Sequence, residues 1–261
     1  EHERHEGLSV FGIGAQVATA PTQITFAPLR LCVKSKEGAS VKLVVVDDYD
    51  ALSRAGADAI AEVVARKPDA AIVVATGDTP MGAYEELAAR HSRGEVAASR
   101  VRAFQLDEYL GVPPGDRRSL YGWMERSFVR PLGLPEAHVV RLPWEEATAG
   151  EGIEAYVRAV AAAGGFDLAV LGLGPNGHLG FNEPPSHADS PTRMVSLTDA
   201  SIESNAGYWG GAGVVPAALP RRRDPRGARG LAHGRGASHL EAVAGRAVLR
   251  GLIRWCLLIT A

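Results

Sequence analysis

The chain has 261 residues, of which 46% are hydrophobic and 22% are charged, and its formal net charge is -2. This composition is typical of a soluble globular protein, and the charge balance gives no indication of a nucleic-acid partner or of binding to an acidic membrane surface. Its two cysteines, Cys32 and Cys256, are distant in sequence and outside any CxxC or Cys/His cluster, so neither a disulfide framework nor a zinc site is predicted. We therefore expect a cytoplasmic protein whose partner is a small polar molecule.

The first 40 residues show little periodicity. Residues 8–20 are apolar with a small-residue end, but the acidic stretch "EHERHEG" before them lacks the basic region of a signal peptide. No uninterrupted apolar segment is long enough to span a bilayer. We expect a poorly patterned N-terminal extension over 1–40 and a single domain over 41–261.

From residue 41 onward, apolar runs that favour buried strands alternate with segments of helical spacing. The runs are "VKLVVV" (41–46), "DAAIVVATG" (69–77), "VRAFQLDEY" (101–109) and "FDLAVLGLG" (166–174). The helical segments span 48–68, 79–94, 119–133 with a stop at Pro131, and 152–165. This alternation predicts an α/β fold with a doubly wound, mostly parallel sheet flanked by helices, a Rossmann-like arrangement.

Three polar loops directly follow predicted strands: "TGDTP" (76–80), "LDEYLG" (106–111) and "GPNGHLGFNEP" (174–184). Ligands of such sheets bind outside the carboxyl ends of the strands. We therefore expect the loops to meet at one edge of the sheet.

The first loop offers Thr76, Gly77, Asp78 and Thr79 ahead of a helix. Backbone N–H groups at a helix start, with hydroxyls beside them, can hold a phosphate. The competing interpretation is a plain turn in which Thr79 caps the helix and Pro80 is its first residue.

The second loop places Asp107 and Glu108 at a strand end. A partly desolvated carboxylate there could remove a proton from a carbon next to a carbonyl. Acids at strand ends also serve as caps or solvated turn residues.

The third loop supplies His178 as a candidate proton shuttle, with Asn176 and Glu183 near enough in sequence to orient it. A metal site formed with His187, or a structural histidine bonded to a backbone carbonyl, are the alternatives.

Together, "TGDTPMGAYEEL", "LDEYLGV" and "LGLGPNGHLGFNEP" resemble the glucosamine-6-phosphate deaminase family, over about residues 41–216. The resemblance implies that His178, supported by Asn176 and Glu183, opens the sugar ring. It implies that Asp107 then carries the C2 proton in an aldose–ketose isomerisation that releases ammonia and leaves fructose 6-phosphate. It further implies a site without metal or organic cofactor, phosphate binding at 76–79, and a chain that can form a homo-oligomer.

Two rival functions remain. Lactonases acting on 6-phosphogluconolactone belong to the same superfamily, but their DER-V-P and DGH-ASLFP motifs are missing. A catalytically impaired sugar-phosphate-binding protein is favoured by the C-terminal region, which is rich in Arg and Gly from about residue 218. Family members carry a phosphate-binding Arg where Gly207 stands and a Lys near His239. Either a shifted reading frame in GC-rich coding DNA or divergence could account for these losses, which predict weak phosphate binding.

Overall fold

The computed structural model describes residues 29–35, 41–174, 177–184, 186, 190–210, 228–232 and 253–260. The strands are β1 (Leu29–Ser35), β2 (Val41–Val46), β3 (Ala71–Val74), β4 (Arg102–Gln105), β5 (Asp107–Tyr109), β6 (Val139–Val140), β7 (Phe166–Gly172), β8 (Arg193–Leu197), β9 (Ala228–Ala232) and β10 (Ile253–Thr260). The helices are α1 (Tyr49–Arg66), α2 (Met81–Ser92), α3 (Leu120–Met124), α4 (Ala149–Ala162) and α5 (Asp199–Trp209).

The larger sheet has the order β2-β1-β10-β7-β3-β4-β6. Strands β10, β7, β3, β4 and β6 pair in parallel, and β1 runs antiparallel to both of its neighbours. The predicted fold class, a mostly parallel α/β sheet, is confirmed.

Both faces of this sheet are covered, as the unbroken apolar runs require. Ile72 and Val74 of β3 pack in the cluster that contains α1 and α2 side chains. Ala71 and Val73 of the same strand face the opposite cluster, which includes Tyr156 of α4. The period of two in β3 thus distributes its side chains between two helical layers.

The strand order reverses next to β3. From β3 the chain continues through α2 to β4 on one side, whereas β7, which follows α4, lies on the other side of β3. Such a reversal leaves a crevice at the carboxyl ends of the two strands, where ligands bind in sheets of this type.

A smaller sheet of order β5-β9-β8 stands beside this crevice. The prediction of one continuous strand over 101–109 was wrong, because the chain leaves the large sheet at Leu106 and β5 pairs antiparallel with β9. The Gln105 side chain supports the change of direction: its amide donates to the Asp107 carbonyl over 2.9 Å, and its oxygen accepts from Leu142 N over 3.0 Å.

Three further differences concern the ends of the chain and a helix start. Residues 29–35, within the stretch expected to be a poorly patterned extension, form β1 of the sheet. Residues 228–232, within the Arg- and Gly-rich C-terminal region, form β9, where pairing with strands on both sides overrides a weak local preference. Helix α2 begins after Pro80, which stands at the N-cap position without a side-chain bond, so Thr79 is not its cap.

Among the described residues, no helix combines the length and the apolar character needed to cross a membrane.

Candidate functional site

A cleft of about 1010 Å³ lies at the carboxyl ends of β3 and β7. Its lining includes residues 75–80, Leu106 and Asp107, residues 172–174, and His178. The loops that follow three predicted strands therefore meet at one edge, as expected from the alternation of strands and helices. Helix α5 contributes a further wall, with Ser204, Asn205, Tyr208 and Trp209.

Asp107 presents a buried carboxyl group to this cleft, with only 8% of the residue exposed. Burial, together with the neighbouring charge of Glu108, raises its pKa to about 7. A Cβ at Gly180 would lie 3.1 Å from Asp107 Oδ2, so the glycine lets the His178 loop pass close to the carboxylate. A carboxyl group with this pKa can accept and return a proton near neutral pH.

Glu108 has a structural role. Its carboxylate accepts hydrogen bonds from five donors: Gln105 Nε2, Tyr109 N, Ser119 Oγ, Leu120 N and Tyr121 N. Three of them lie at the start of α3, where a carboxylate satisfies N–H groups that have no partner within the helix. The two acids are thus separated in function: the capping interpretation applies to Glu108, and Asp107 is left facing the cleft.

His178 lies on the cleft with its Nδ1 3.2 Å from Ser201 Oγ. Burial lowers the pKa of the imidazole, and the charge of Glu183 opposes this shift. The ring packs directly on Gly174, because a Cβ at that residue would lie 2.0 Å from Nε2. Gly174 N also donates to the His178 carbonyl over 2.9 Å. The glycine thus makes space for the imidazole at the end of β7.

Glu183 is buried, with 5% exposure, behind His178. Its Oε2 accepts from Thr198 N over 2.8 Å, and its Oε1 is buried without a hydrogen-bond partner among the described residues. Its neighbour Asn182 accepts from the Arg193 guanidinium over 3.0 Å. These bonds attach the loop to β8 and to the start of α5. Asn176 and His187 lie outside the described residues.

The loop between β3 and α2 carries Thr76, Gly77, Asp78 and Thr79 along the cleft. Gly77 has a φ of 111°, a conformation that side chains other than glycine rarely adopt. The Asp78 carboxylate accepts from Tyr208 Oη over 3.1 Å, which connects this loop to the end of α5. Asp78 is therefore held by a partner across the cleft.

Sequence reasoning missed a group of arginines on the cleft: Arg117, Arg118 and Arg126. Arg118 forms a double hydrogen bond with Asp116 and lies 4.5 Å above the ring of Trp209. Arg126 donates to the Arg117 carbonyl over 3.0 Å. The signal for Arg117 and Arg118 was the short "DRR" after the second loop, which has no spacing that distinguishes a binding site from a solvated turn. Ser201 was also missed, because only tertiary contact brings it to His178.

Two positions, 207 and 239, lack the cationic side chains that the family resemblance implies. Gly207 is exposed on α5, and a Cβ there would meet no atom within 4 Å. His239 lies outside the described residues. Within the described part of the chain, no three His, Cys, Asp or Glu side chains are grouped so as to hold a metal ion.

Comparison with known proteins identifies the relatives of this chain. A protein named glucosamine-6-phosphate deaminase from Halothermothrix orenii is 35% identical over 180 residues, which is 67% of this chain and 73% of the relative. One with the same name from Streptomyces avermitilis is 42% identical over 171 residues, covering 66% of each chain.

Two solved structures have a fold similar to that of this chain. A monomeric glucosamine-6-phosphate deaminase has a TM-score of 0.66 at 26% identity, covering 76% of both chains. A 6-phosphogluconolactonase from Thermotoga maritima shares the fold, with a TM-score of 0.51 at 22% identity, covering 72% of this chain and 75% of its own. The family model described as glucosamine-6-phosphate isomerases/6-phosphogluconolactonase matches residues 47–204. Strands β3, β4 and β7 and most of the residues that line the cleft fall within that match, and the chain belongs to this family.

Proposed function

We propose that the protein is a glucosamine-6-phosphate deaminase that converts glucosamine 6-phosphate and water to fructose 6-phosphate and ammonia. The observation that carries this proposal is the pair formed by Asp107 and His178 on one cleft. Asp107 is a buried carboxyl with a pKa of about 7, and His178 is a partly buried imidazole with a lowered pKa. Proton transfers at carbon and at oxygen require two such groups with different environments.

His178 acts first, on the closed sugar ring. Its neutral imidazole removes the proton from the hydroxyl at C1, the C1–O5 bond breaks, and the same proton is returned to O5. The result is an open-chain aldehyde with the amine at C2. The nearby charge of Glu183 stabilises the imidazolium that forms during this transfer, because an opposite charge favours the protonated form. Asn176 and Glu183 complete the group that orients this step.

Asp107 acts second, on the open chain. Its carboxylate removes the proton from C2, the electrons of that bond form the C1=C2 bond of an enolamine, and the displaced C1=O electrons take a proton from solvent at O1. The Asp107 carboxylic acid returns its proton to C1 while the nitrogen lone pair forms a C2=N iminium. Water then adds to C2, a proton passes to the nitrogen, and the C2–N bond breaks to release ammonia and leave the C2 ketone. Burial suits Asp107 to this step, because a carboxylate whose pKa lies near the working pH is both available as a base and strong enough to act.

The phosphate of the substrate binds at the loop of Thr76, Gly77, Asp78 and Thr79. Backbone N–H groups and the two threonine hydroxyls are the donors in this proposal. The side chain of Asp78 is occupied by Tyr208. The arginines on the cleft add positive charge to the same space.

The test is direct. The full chain is incubated with glucosamine 6-phosphate, and ammonia and fructose 6-phosphate are measured, with the Asp107→Asn variant as the matched control. Equal amounts of both products, absent with the variant, support the proposal. Hydrolysis of 6-phosphogluconolactone without ammonia release from the amino sugar would identify a lactonase, and binding without turnover would identify a sugar-phosphate-binding protein.

A further inference from the structure

We propose that Ser201 is a positioning residue for the reaction proposed above. In this arrangement His178 Nδ1–H donates to Ser201 Oγ, which leaves Nε2 unprotonated as the base that faces the sugar. The inference rests on the proposed function for its chemistry, but the hydrogen bond itself is independent of which substrate is bound.

The location of Ser201 supports this role. It lies in the first turn of α5, is only 1% exposed, and places Oγ 3.2 Å from His178 Nδ1. A buried polar group without a partner costs free energy, so a hydrogen bond between a buried serine and an imidazole is expected to be kept in the folded protein. The serine belongs to a helix that starts beside the catalytic loop, and it is one of the groups that fix the ring from behind.

The backbone of Ser201 is itself held in place. The Thr198 hydroxyl accepts from Ser201 N, and the Ser201 carbonyl accepts from Asn205 Nδ2 over 2.8 Å. Thr198 N in turn donates to Glu183 Oε2 over 2.8 Å. A chain of hydrogen bonds therefore runs from Glu183 through the cap of α5 to Ser201 and on to His178. Through this chain Glu183 supports the histidine from a distance, in addition to its charge.

The direction of the bond decides what His178 can do. A neutral imidazole carries one proton, and the hydrogen bond at one nitrogen sets the state of the other. If Ser201 donated to Nδ1, the proton would be on Nε2, and that nitrogen could not accept the proton of a sugar hydroxyl. If Nδ1–H donates to Ser201, Nε2 can accept it. His178 lines the cleft and its Nδ1 is engaged by Ser201, so the proposal assigns Nε2 to the reacting side.

The test uses the whole 261-residue chain with ¹⁵N-labelled histidine, and it reads the tautomer of His178 from long-range ¹H–¹⁵N correlations. The signals of His178 are assigned by their loss in His178→Gln. We expect the unmodified protein to carry its proton on Nδ1, Ser201→Ala to gain the Nε2–H form, and Ser201→Thr, which keeps a hydroxyl, to resemble the unmodified protein. Ser53→Ala removes another buried helix hydroxyl, one bonded to Tyr49 O in α1 and not part of the cleft lining, and is the matched control.

Turnover provides a second measurement. On glucosamine 6-phosphate, Ser201→Ala should lower kcat about tenfold or more, with KM nearly unchanged, and Ser201→Thr should restore most of it. A proton on Nε2 in the unmodified protein, or a tautomer that Ser201→Ala does not change, overturns the proposal. These spectra do not depend on turnover. Absence of ammonia release together with the expected tautomer would reject the deaminase function and leave the positioning role supported.

Discussion

Asp107 and Glu108 are consecutive in sequence, but only Glu108 is saturated with hydrogen-bond donors. Five donors surround the Glu108 carboxylate, and three of them belong to the start of α3. Asp107 lies on the cleft, with a pKa raised to about 7 by burial and by the charge of Glu108. One acid thus builds the wall of the cleft, and the other is available to react within it.

Asp107→Asn should preserve the fold and remove nearly all turnover, because an amide cannot accept the C2 proton. General bases typically contribute about 100-fold or more to the rate. The measurement is ammonia release at saturating glucosamine 6-phosphate, with circular dichroism as the check on folding. Retention of more than about a tenth of the activity would be inconsistent with a general base of this kind.

Glu108→Gln should mainly lower the stability of the protein, whereas Asp107→Asn should mainly lower turnover. The amide has one acceptor oxygen instead of two, so some of the donors at the start of α3 lose their partner. Leaving buried donors unsatisfied costs roughly 1–3 kcal/mol, and we expect a loss of this size in the free energy of unfolding by urea. An unchanged stability, with turnover abolished, would reverse the roles assigned to the two acids.

The stability of the protein should depend on pH through Asp107. The pKa of this group is about 7 in the folded protein, against an ordinary value of 3.8. Folding therefore favours the protonated form, and the cost of the buried charge is absent at low pH, grows as the pH rises from about 4, and is complete above about 7.

Asp107→Asn removes this cost. The variant should be close to the unmodified protein in stability at pH 4 and more stable at pH 8, by on the order of 4 kcal/mol for a shift of about three pKa units. Thermal unfolding of both proteins at the two pH values is the measurement. A variant that is less stable at pH 8 than at pH 4, relative to the unmodified protein, would contradict the assignment of a raised pKa.

Much of the fold follows from local sequence. The runs that form β3 and β7 are apolar throughout, and their flanking helices carry regular spacing, so the parallel sheet and the edge where its loops meet could be predicted. Strands β5, β9 and β8 could not, because β9 pairs with β5, more than 100 residues before it, and with β8, more than 30 residues before it, and because β9, "ARGLA", has little strand preference of its own.

The candidate site, like the fold, could be predicted from local sequence only in part. The sequence predicted Asp107 and His178 as candidates, since carboxylates and histidines after buried strands can transfer protons, and both residues lie on the cleft. The residue pattern could not distinguish Asp107 from Glu108, because that difference depends on which carboxylate meets the N-terminal end of α3; only the family resemblance assigned the proton transfer to Asp107. Nor could it identify Ser201, whose only relevant property is that α5 starts beside His178.

His178→Gln should impair the closed-ring substrate most. Glutamine can form hydrogen bonds but cannot shuttle a proton, so ring opening should slow by about 100-fold. An analogue without hydroxyls at C4 and C5 cannot close a ring and bypasses this step. We expect less than about a tenfold loss with the analogue. Equal losses with both compounds would assign His178 to the carbon chemistry and not to ring opening.

We predict that this chain binds the phosphate of its substrate more weakly than the resemblance to its family implies. Gly207 stands where the resemblance implies an Arg, and a charge-assisted hydrogen bond contributes roughly 1.5–3 kcal/mol. Gly207→Arg should therefore tighten binding of glucosamine 6-phosphate by about 10- to 100-fold. The exposed position on α5, with no atom within 4 Å of a Cβ, has space for the longer side chain. Gly207→Ala is the matched control, because it stabilises the helix by a similar amount without adding charge.

The arginines on the cleft determine what a different result would mean. Arg118 is paired with Asp116, so much of its charge is already offset, whereas no ion pair is formed by Arg117 within the part of the chain that the structure describes. If the unmodified chain binds the substrate tightly by isothermal titration calorimetry, Arg117→Ala should weaken that binding by about tenfold or more. Tight binding by the unmodified chain would refute the prediction of weak phosphate binding, and binding that also survives Arg117→Ala would exclude Arg117 as the group that replaces the missing Arg. The phosphate would then be held mainly by the backbone N–H groups and hydroxyls of residues 76–79. Their hydrogen bonds would have to contribute most of the binding free energy, because the partial charge of a helix start contributes only about 0.3–1 kcal/mol at an exposed site.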